Sequence, residues 1–426
     1  MKQYFQFSFL LLCCLAKLCS CSNPKNQEAR VIDVEAAVGT GSIKNTSEFI
    51  KELTYIPLET NQSSLIKHVQ KIIIQNDKIY IYDKAPSDLS GKVMIFGING
   101  RHIATLDKRG RGPDEYFSTQ TVAVTPSDHI LIMTRDAGIL EYDQNLKLVK
   151  KLIFNDGGKR WLYDNVVVLK EGLYALTIYR VDYNEPDDGA YTFAIYDDLL
   201  ENCSFEIKQP IKIFTRDSRP AFSWGGTYFP YLLNDEMIFY RIHNDSIFGI
   251  DLKNNYAKSL RYTFNFGKYA LPEPPKDNPL KTYEEESRFI SFSSILESDN
   301  YMFIKFVFRG MAPEPFGTPS RSVTLMDRVV TSEGWQNTMV YGIYDKNQEK
   351  LSLLNQPTPG ILGLKNDLDG GPPIIWPESV MSGNKLITYY TAMEMMELIE
   401  QGKVDKELFG NITDNDNPIV VIAKEK

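Results

Sequence analysis

Four histidines, His68, His102, His129 and His243, are the only side chains here with an ordinary pKa near neutrality. None stands in an H-x-H or H-E-x-x-H pattern or in a Cys/His cluster, so no zinc site follows from local spacing. No G-x-S-x-G elbow presents a nucleophilic serine. Asp367-x-Asp369 with Glu378 at the twelfth place has the outline of a calcium loop. However, Gly371 and Pro372 occupy the fifth and sixth places, where a ligand and the turn glycine are needed. The expectation is a chain with no catalytic residue, metal or cofactor assigned.

Groups suited to recognition are more numerous. Lys108–Tyr116 (KRGRGPDEY) puts Arg109 and Arg111 among glycines that let a backbone turn or approach a ligand. Two readings compete there. The arginines clamp an anion, or Asp114 and Glu115 neutralise them while Tyr116 wedges between neighbouring units. Arg135, Arg180, Arg241 and Arg309 each end a β-rich run, with His243 two residues beyond Arg241. If those ends converge, the guanidinium groups form a local positive well for a carboxylate or sulfate. The alternative is pairing with acids such as Asp136 or Asp182. Trp224 (SWGG) and Trp335 (EGWQ) sit beside glycines in irregular segments and suit sugar faces or protein partners.

The elements that must position these groups repeat. Six times a β-rich run, a tight polar turn and a second β-rich run recur. The second runs are KIYIYDK after Asp77, HILIMTR after Asp128, LYALTIYR after Gly172, EMIFYRI after Asp235, YMFIKFVFR after Asn300 and KLITYY after Asn384. Strand-only repeats of roughly 40–60 residues point to an all-β fold, a six-bladed β-propeller. The sixth unit is short of a strand, and Lys51–Leu58 (KELTYIPL) precedes the first unit with no partner. Pairing it with Asn417–Ala423 closes the ring and removes exposed edges. The first-to-second and third-to-fourth strand connections are short, so all the long connections fall on one face, where function concentrates. One of them, Ala392–Leu408, reads as an amphipathic helix packing through Met393, Met396 and Ile399.

The N-terminus carries Lys2, an apolar run over 5–16 and Leu18-Cys19-Ser20-Cys21. This reads as a secretory signal over 1–20. Its end resembles the bacterial lipobox, which implies lipid on Cys21. Residues 21–48 then read as lipidated cysteine plus flexible tether and 49–426 as the propeller. The mature chain keeps only Cys21 and Cys203, so no disulfide framework forms within a monomer, and Cys203 in NCSFEI reads as a small buried residue. Loss of Lys2 and Lys17 takes the formal charge from −8 to −10, which argues against nucleic acid.

The lipobox, the six strand-rich units, KRGRGPDEY, DGGPPIIWP (Asp369–Pro377) and NPIVVIAK (Asn417–Lys424) together resemble the six-bladed β-propeller lipoproteins of Bacteroidota, with NHL-like repeats. The resemblance covers essentially the whole mature chain. It implies a cell-envelope propeller. The tail after Cys21 has no early acidic run, which surface-exported lipoproteins of that group often carry, so the expectation is a lipid-anchored monomer on the periplasmic side of the outer membrane. Members of that group largely lack assigned activities. The expected role is binding or scaffolding of a glycan, peptide or protein. The alternative is a propeller enzyme of lactonase or lyase type, with Asp83, Asp136 and Asn244 supplying oxygen ligands at the channel.

Overall fold

Asn, Asp and Gly fill the tight turns because two-residue hairpins need backbone at positive φ. In the computed structural model Asn76 and Asp77 have φ of 46° and 57°, and Asn234 and Asn384 each have 55°. The structure describes residues 29–134, 138–152, 161–180, 190–210, 213–216, 219–222, 228–241, 244–271, 289–309, 319–320, 323–325, 328–330, 337–354, 363–381 and 384–426. Around those turns the β-branched and aromatic runs pair into six antiparallel blades.

Blade one is Val69–Gln75, Lys78–Asp83, Lys92–Gly97 and His102–Leu106. Blade two is Thr121–Val124, Ile130–Thr134, Gly138–Tyr142 and Leu148–Leu152. Blade three is Trp161–Lys170, Leu173–Arg180, Ala190–Asp197 and Cys203–Pro210. Blade four is Tyr228–Leu233, Glu236–Arg241, Ser246–Asp251 and Ala257–Asn265. Blade five is Phe289–Glu297, Tyr301–Arg309, Asn337–Asp345 and Lys350–Leu353. First strands contact one another at the junctions of blades one and two, two and three, three and four, five and six, and six and one, which places them innermost. The second strands, which carry the candidate arginines, therefore lie one position out from the axis.

Blade six closes the ring as expected. Ser379–Met381, Lys385–Tyr390 and Ile419–Glu425 are completed by the N-terminal strand Ile50–Pro57, with Leu53 opposite Ala423 and Tyr55 opposite Val421. Asn417 fastens the joint. Buried at 2% exposure, its amide accepts from Ile66 N at 2.9 Å and donates to the carbonyls of Glu59 and Ser64, each at 2.7 Å.

Apolar side chains gather at every blade junction. Ile56, Leu58 and Val420 of blade six meet Ile72, Ile79 and Ile81 of blade one, so the closing junction has the same kind of core as the others. Tyr80, Val93 and Leu106 meet Val122, Ile130 and Tyr142 at the next. Blades joined only through such cores behave as a ring of nearest neighbours.

Three sequence expectations change. Residues 29–48 are not all tether. Arg30–Asp33 adds a fifth strand, parallel to Ala257–Asn265, on the outer edge of blade four. Ile32 and Val34 are fully buried between blades four and five. Val31 and Asp33 on either side of Ile32 face outward, the period-two alternation of a strand, which lets so short a segment dock. Cys203 is exposed, because it begins the outermost strand of blade three. The helix spans Ala392–Glu400 and buries Ala392, Met395 and Leu398, whereas Met393 is 61% exposed. Its capping box, Thr391 with Glu394, sets the helix start and so rotates the packing stripe by about one residue from the expected one.

Candidate functional site: the long-loop rim

Antiparallel order sends every first-to-second and third-to-fourth connection to one face of the disc, the hairpin face. The remaining connections leave from the opposite face, the loop face. The second strands of blades three, four and five end on the loop face, each with its terminal arginine opposite an aromatic residue that begins the first strand. The register pairs Arg180 with Trp161, Arg241 with Tyr228 and Arg309 with Phe289.

Contacts follow the register in blades four and five. The Arg241 guanidinium carbon lies 5.7 Å from the Tyr228 ring centre, and that of Arg309 lies 5.2 Å from the Phe289 ring centre. A planar cation over a ring face gains electrostatically, and its N–H donors lie in one fixed plane. Burial pushes the Arg241 pKa down from its ordinary value while neighbouring Tyr228 opposes the shift. Arg135, His243, Trp224, Trp335, Asp136 and Asp182 lie outside the described residues, as does Cys21. The aromatic partners were missed in the sequence. Counting symmetrically outward from the hairpin turn finds Tyr228 opposite Arg241, but register shifts in blades three and five put the same count on Tyr163 and Ile290, so Trp161 and Phe289 are not found that way.

The Lys108–Tyr116 loop resolves toward blade docking. Arg109 makes a bidentate pair with Asp107, Nε–Oδ1 and Nη2–Oδ2 both 2.6 Å, and this holds the Asp107 carboxyl below its ordinary range. Lys108 pairs with Asp114 at 2.5 Å, and Arg111 stacks 4.1 Å over Phe117. The expected partners therefore change. Asp114 goes to the lysine, and the Glu115 carboxylate accepts from Gly112 N at 2.7 Å. A Cβ at Gly110 would stand 1.9 Å from the Glu115 carboxylate, so a larger residue there would displace that side chain. Tyr116 is the wedge, 1% exposed, edge-on to Tyr142 of blade two and donating to Leu106 O at 3.3 Å.

The other candidates serve the frame. Asp83 is 5% exposed and accepts from the backbone N–H groups of Lys67 and His68, so its carboxylate fixes the start of blade one. Asp367 accepts from Ser47 N at 2.9 Å and Ser47 Oγ at 2.5 Å, and Asp369 accepts from Tyr55, Asn366 and Gly371. That pair joins the N-terminal segment to blade six. Trp376 is buried against Tyr341 and Phe303.

On the hairpin face, an open cleft of about 340 Å³ between blades two and three is lined by Glu141, Lys150, Glu171, Tyr174 and Asp198. Its carboxylates are engaged by His129 (2.6 Å), Lys150 (3.1 Å) and Ser127 (2.6 Å). A larger charge cluster joins blades four and five. The fully buried Glu297 carboxylate meets Arg261 at 2.8 Å, Lys346 at 2.5 Å and Tyr231 Oη at 2.5 Å, while Arg261 also reaches Glu236 at 3.1 Å. Neither feature has a local sequence signature.

Residues 29–424 match the protein family described as "Domain of unknown function (DUF4934)". Among solved structures, the chain is similar to a protein of Bacteroides fragilis NCTC 9343 named for its expected export. That match has a TM-score of 0.62 at 14% identity and covers 93% of this chain and 99% of that one. It also matches a member of the DUF4221 family from Bacteroides vulgatus ATCC 8482, with TM-score 0.48 and 13% identity over 88% and 97% of the two chains. No curated protein matches. At such identities the likeness speaks for the fold alone.

Proposed function

This chain belongs to the DUF4934 family, and from its fold we propose that it is a lipid-anchored binding module of the outer membrane, facing the periplasm. The expected export for which a structural relative is named fits an envelope location, and the lipobox-like segment ending at Cys21 supports the anchor. The ligand is received on the loop face and carries carboxylate or sulfate groups, as an acidic glycan, an acidic peptide or a protein surface does. The observation that carries this reading is the arginine-on-aromatic pair repeated at one rim position in blades four and five, with the same register in blade three. Repetition of one cation-presenting unit around a ring suits a ligand that itself repeats an anionic group.

The test is binding of polygalacturonate and of neutral dextran to the wild type, Arg241→Ala and Arg309→Ala, with melting temperatures measured in parallel. The reading expects salt-sensitive binding of the acidic polymer alone, weakened about tenfold or more by each substitution at unchanged melting temperature. Unaltered binding with a lowered melting temperature would make the arginines structural and sink the proposal. For the anchor, Cys21→Ala should abolish lipid labelling and release the protein from the membrane fraction. A wild-type protein recovered soluble and unlabelled would refute anchoring.

A further inference from the structure

The cleft on the hairpin face between blades two and three has a buried floor and an open rim. Glu141 is 7% exposed and Tyr174 is 2% exposed, whereas Val149 is 52% exposed at the lip and the Asp198 side chain is 50% exposed. Tight turns deliver these groups to one place. Glu141 stands just before the third-to-fourth turn of blade two. Glu171 lies in the first-to-second turn of blade three, with Tyr174 just after it, and Asp198 lies in that blade's third-to-fourth turn.

Two features set the cleft apart. Its three carboxylates are each engaged through one oxygen. Glu141 meets His129 through Oε1 at 2.6 Å, and Asp198 accepts from Lys150 through Oδ2 at 3.1 Å. Glu171 accepts from Ser127 N and Oγ through Oε2, at 3.2 and 2.6 Å. Among the described residues the second oxygen of each has no partner. The other feature is the Tyr174 hydroxyl. Its ring belongs to the apolar core between blades two and three, with Leu131 and Leu176. Among the described residues the hydroxyl makes no hydrogen bond, although polar groups on so buried a side chain are ordinarily paired. Burial raises the pKa of this phenol, and the charges of Glu141, Glu171 and Asp198 raise it further, so the hydroxyl sits among all three carboxylates.

We infer that this cleft receives a primary ammonium group on an alkyl stem, such as a lysine side chain or a polyamine carries. The uncommitted atoms are acceptors, three carboxylate oxygens and the phenol oxygen, and an ammonium brings three donors with one positive charge. Three carboxylates and a single lysine line the cleft, and that lysine is already spent on Asp198. A bare metal ion fits less well, since among the described residues no three His, Cys, Asp or Glu side chains are placed to hold one. Val149 and the methylenes of Lys150 give the stem of the ligand an apolar wall. The cleft lies on the opposite face from the arginine rim, and its ligand does not depend on the acidic ligand proposed there.

The experiment is calorimetric titration of the full chain with N-acetyl-lysine methylamide and with cadaverine, using N-acetyl-glutamine methylamide and calcium chloride as controls. Both amines should bind saturably and more weakly as salt is added, and the glutamine compound should not bind. The tighter of the two amines identifies the source, a protein or peptide lysine or a free polyamine. Tyr174→Phe should weaken amine binding about threefold or more at unchanged melting temperature, because the hydroxyl holds nothing in the fold. Glu141→Gln should weaken it about tenfold or more through loss of a charge-assisted hydrogen bond. Should Glu141→Gln disturb the fold by freeing His129, Tyr174→Phe decides alone. Failure of both amines to bind, binding untouched by Tyr174→Phe, or calcium bound more tightly than either amine overturns the inference.

Discussion

Glu425 ends the strand that closes the propeller, opposite Ile50, and it is 4% exposed. Among the described residues its Oε1 has no hydrogen-bond partner, and its Oε2 lies 3.5 Å from Asn300 Nδ2. Burial pushes its pKa up from the ordinary 4.5 to about 7, with Asp299 adding to the shift and Ser298, Asn300 and Lys346 opposing it. The consequence for stability has a definite sign. Between pH 4.5 and 7 the folded chain holds a proton that the unfolded chain has released, so stability falls as pH rises across that window and is level above it. Each pH unit of separation is worth about 1.4 kcal/mol, which gives a penalty of about 3 kcal/mol above pH 7. Water that still reaches the carboxylate reduces this toward about 2 kcal/mol.

Glu425→Gln keeps the shape and removes the charge. In urea unfolding followed by tryptophan fluorescence, the variant should match the wild type at pH 4.5 and exceed it by about 2 to 3 kcal/mol at pH 8. Glu297 supplies an internal contrast. Burial alone would raise its pKa, but Arg261 and Lys346 outweigh burial and hold it below the ordinary value. Its contribution is therefore present above about pH 4.5 and is lost only as pH falls below that, outside the window of Glu425. A Glu425→Gln variant that is less stable at pH 8, or whose difference from wild type does not change with pH, would refute the account of a buried, poorly satisfied carboxylate.

Two further outcomes test the closure. Asn417→Ala removes the partner of Ile66 N and of Ser64 O and leaves Glu59 O with Ser64 Oγ alone, and it should cost about 2 to 4 kcal/mol in the same assay. A change under about 0.5 kcal/mol would remove Asn417 from the joint. Deleting residues 22–60 strips the final strand from blade six, and size-exclusion chromatography should show aggregation through the bared edge. The shorter deletion of 22–40 should leave a monomer destabilised by about 2 to 4 kcal/mol, because it removes the fully buried Ile32 and Val34. If it were silent, the outer strand on blade four would be dispensable.

Much of this architecture is local and so was legible in the chain itself. Hairpins with Asn-Asp and Gly turns are set by neighbouring residues, and their six-fold recurrence implied the propeller. An incomplete last repeat plus an orphan Lys51–Leu58 implied the closure, since an unpaired strand must find an edge. What could not be read was which distant groups meet. Arg109 took Asp107 rather than an acid further along its loop. Arg241 and Arg309 took aromatic rings across the hairpin. Arg30–Asp33 looked like tether because four residues carry almost no periodic signal, yet the groove between blades four and five buries two of its side chains once both blades exist. Cys203 and Glu425 show the same limit in opposite directions. Composition placed the thiol inside and gave no reason to bury the carboxylate, but exposure depends on position in the ring. An outermost strand has a neighbour on only one side, whereas the end of the closing strand lies between two blades.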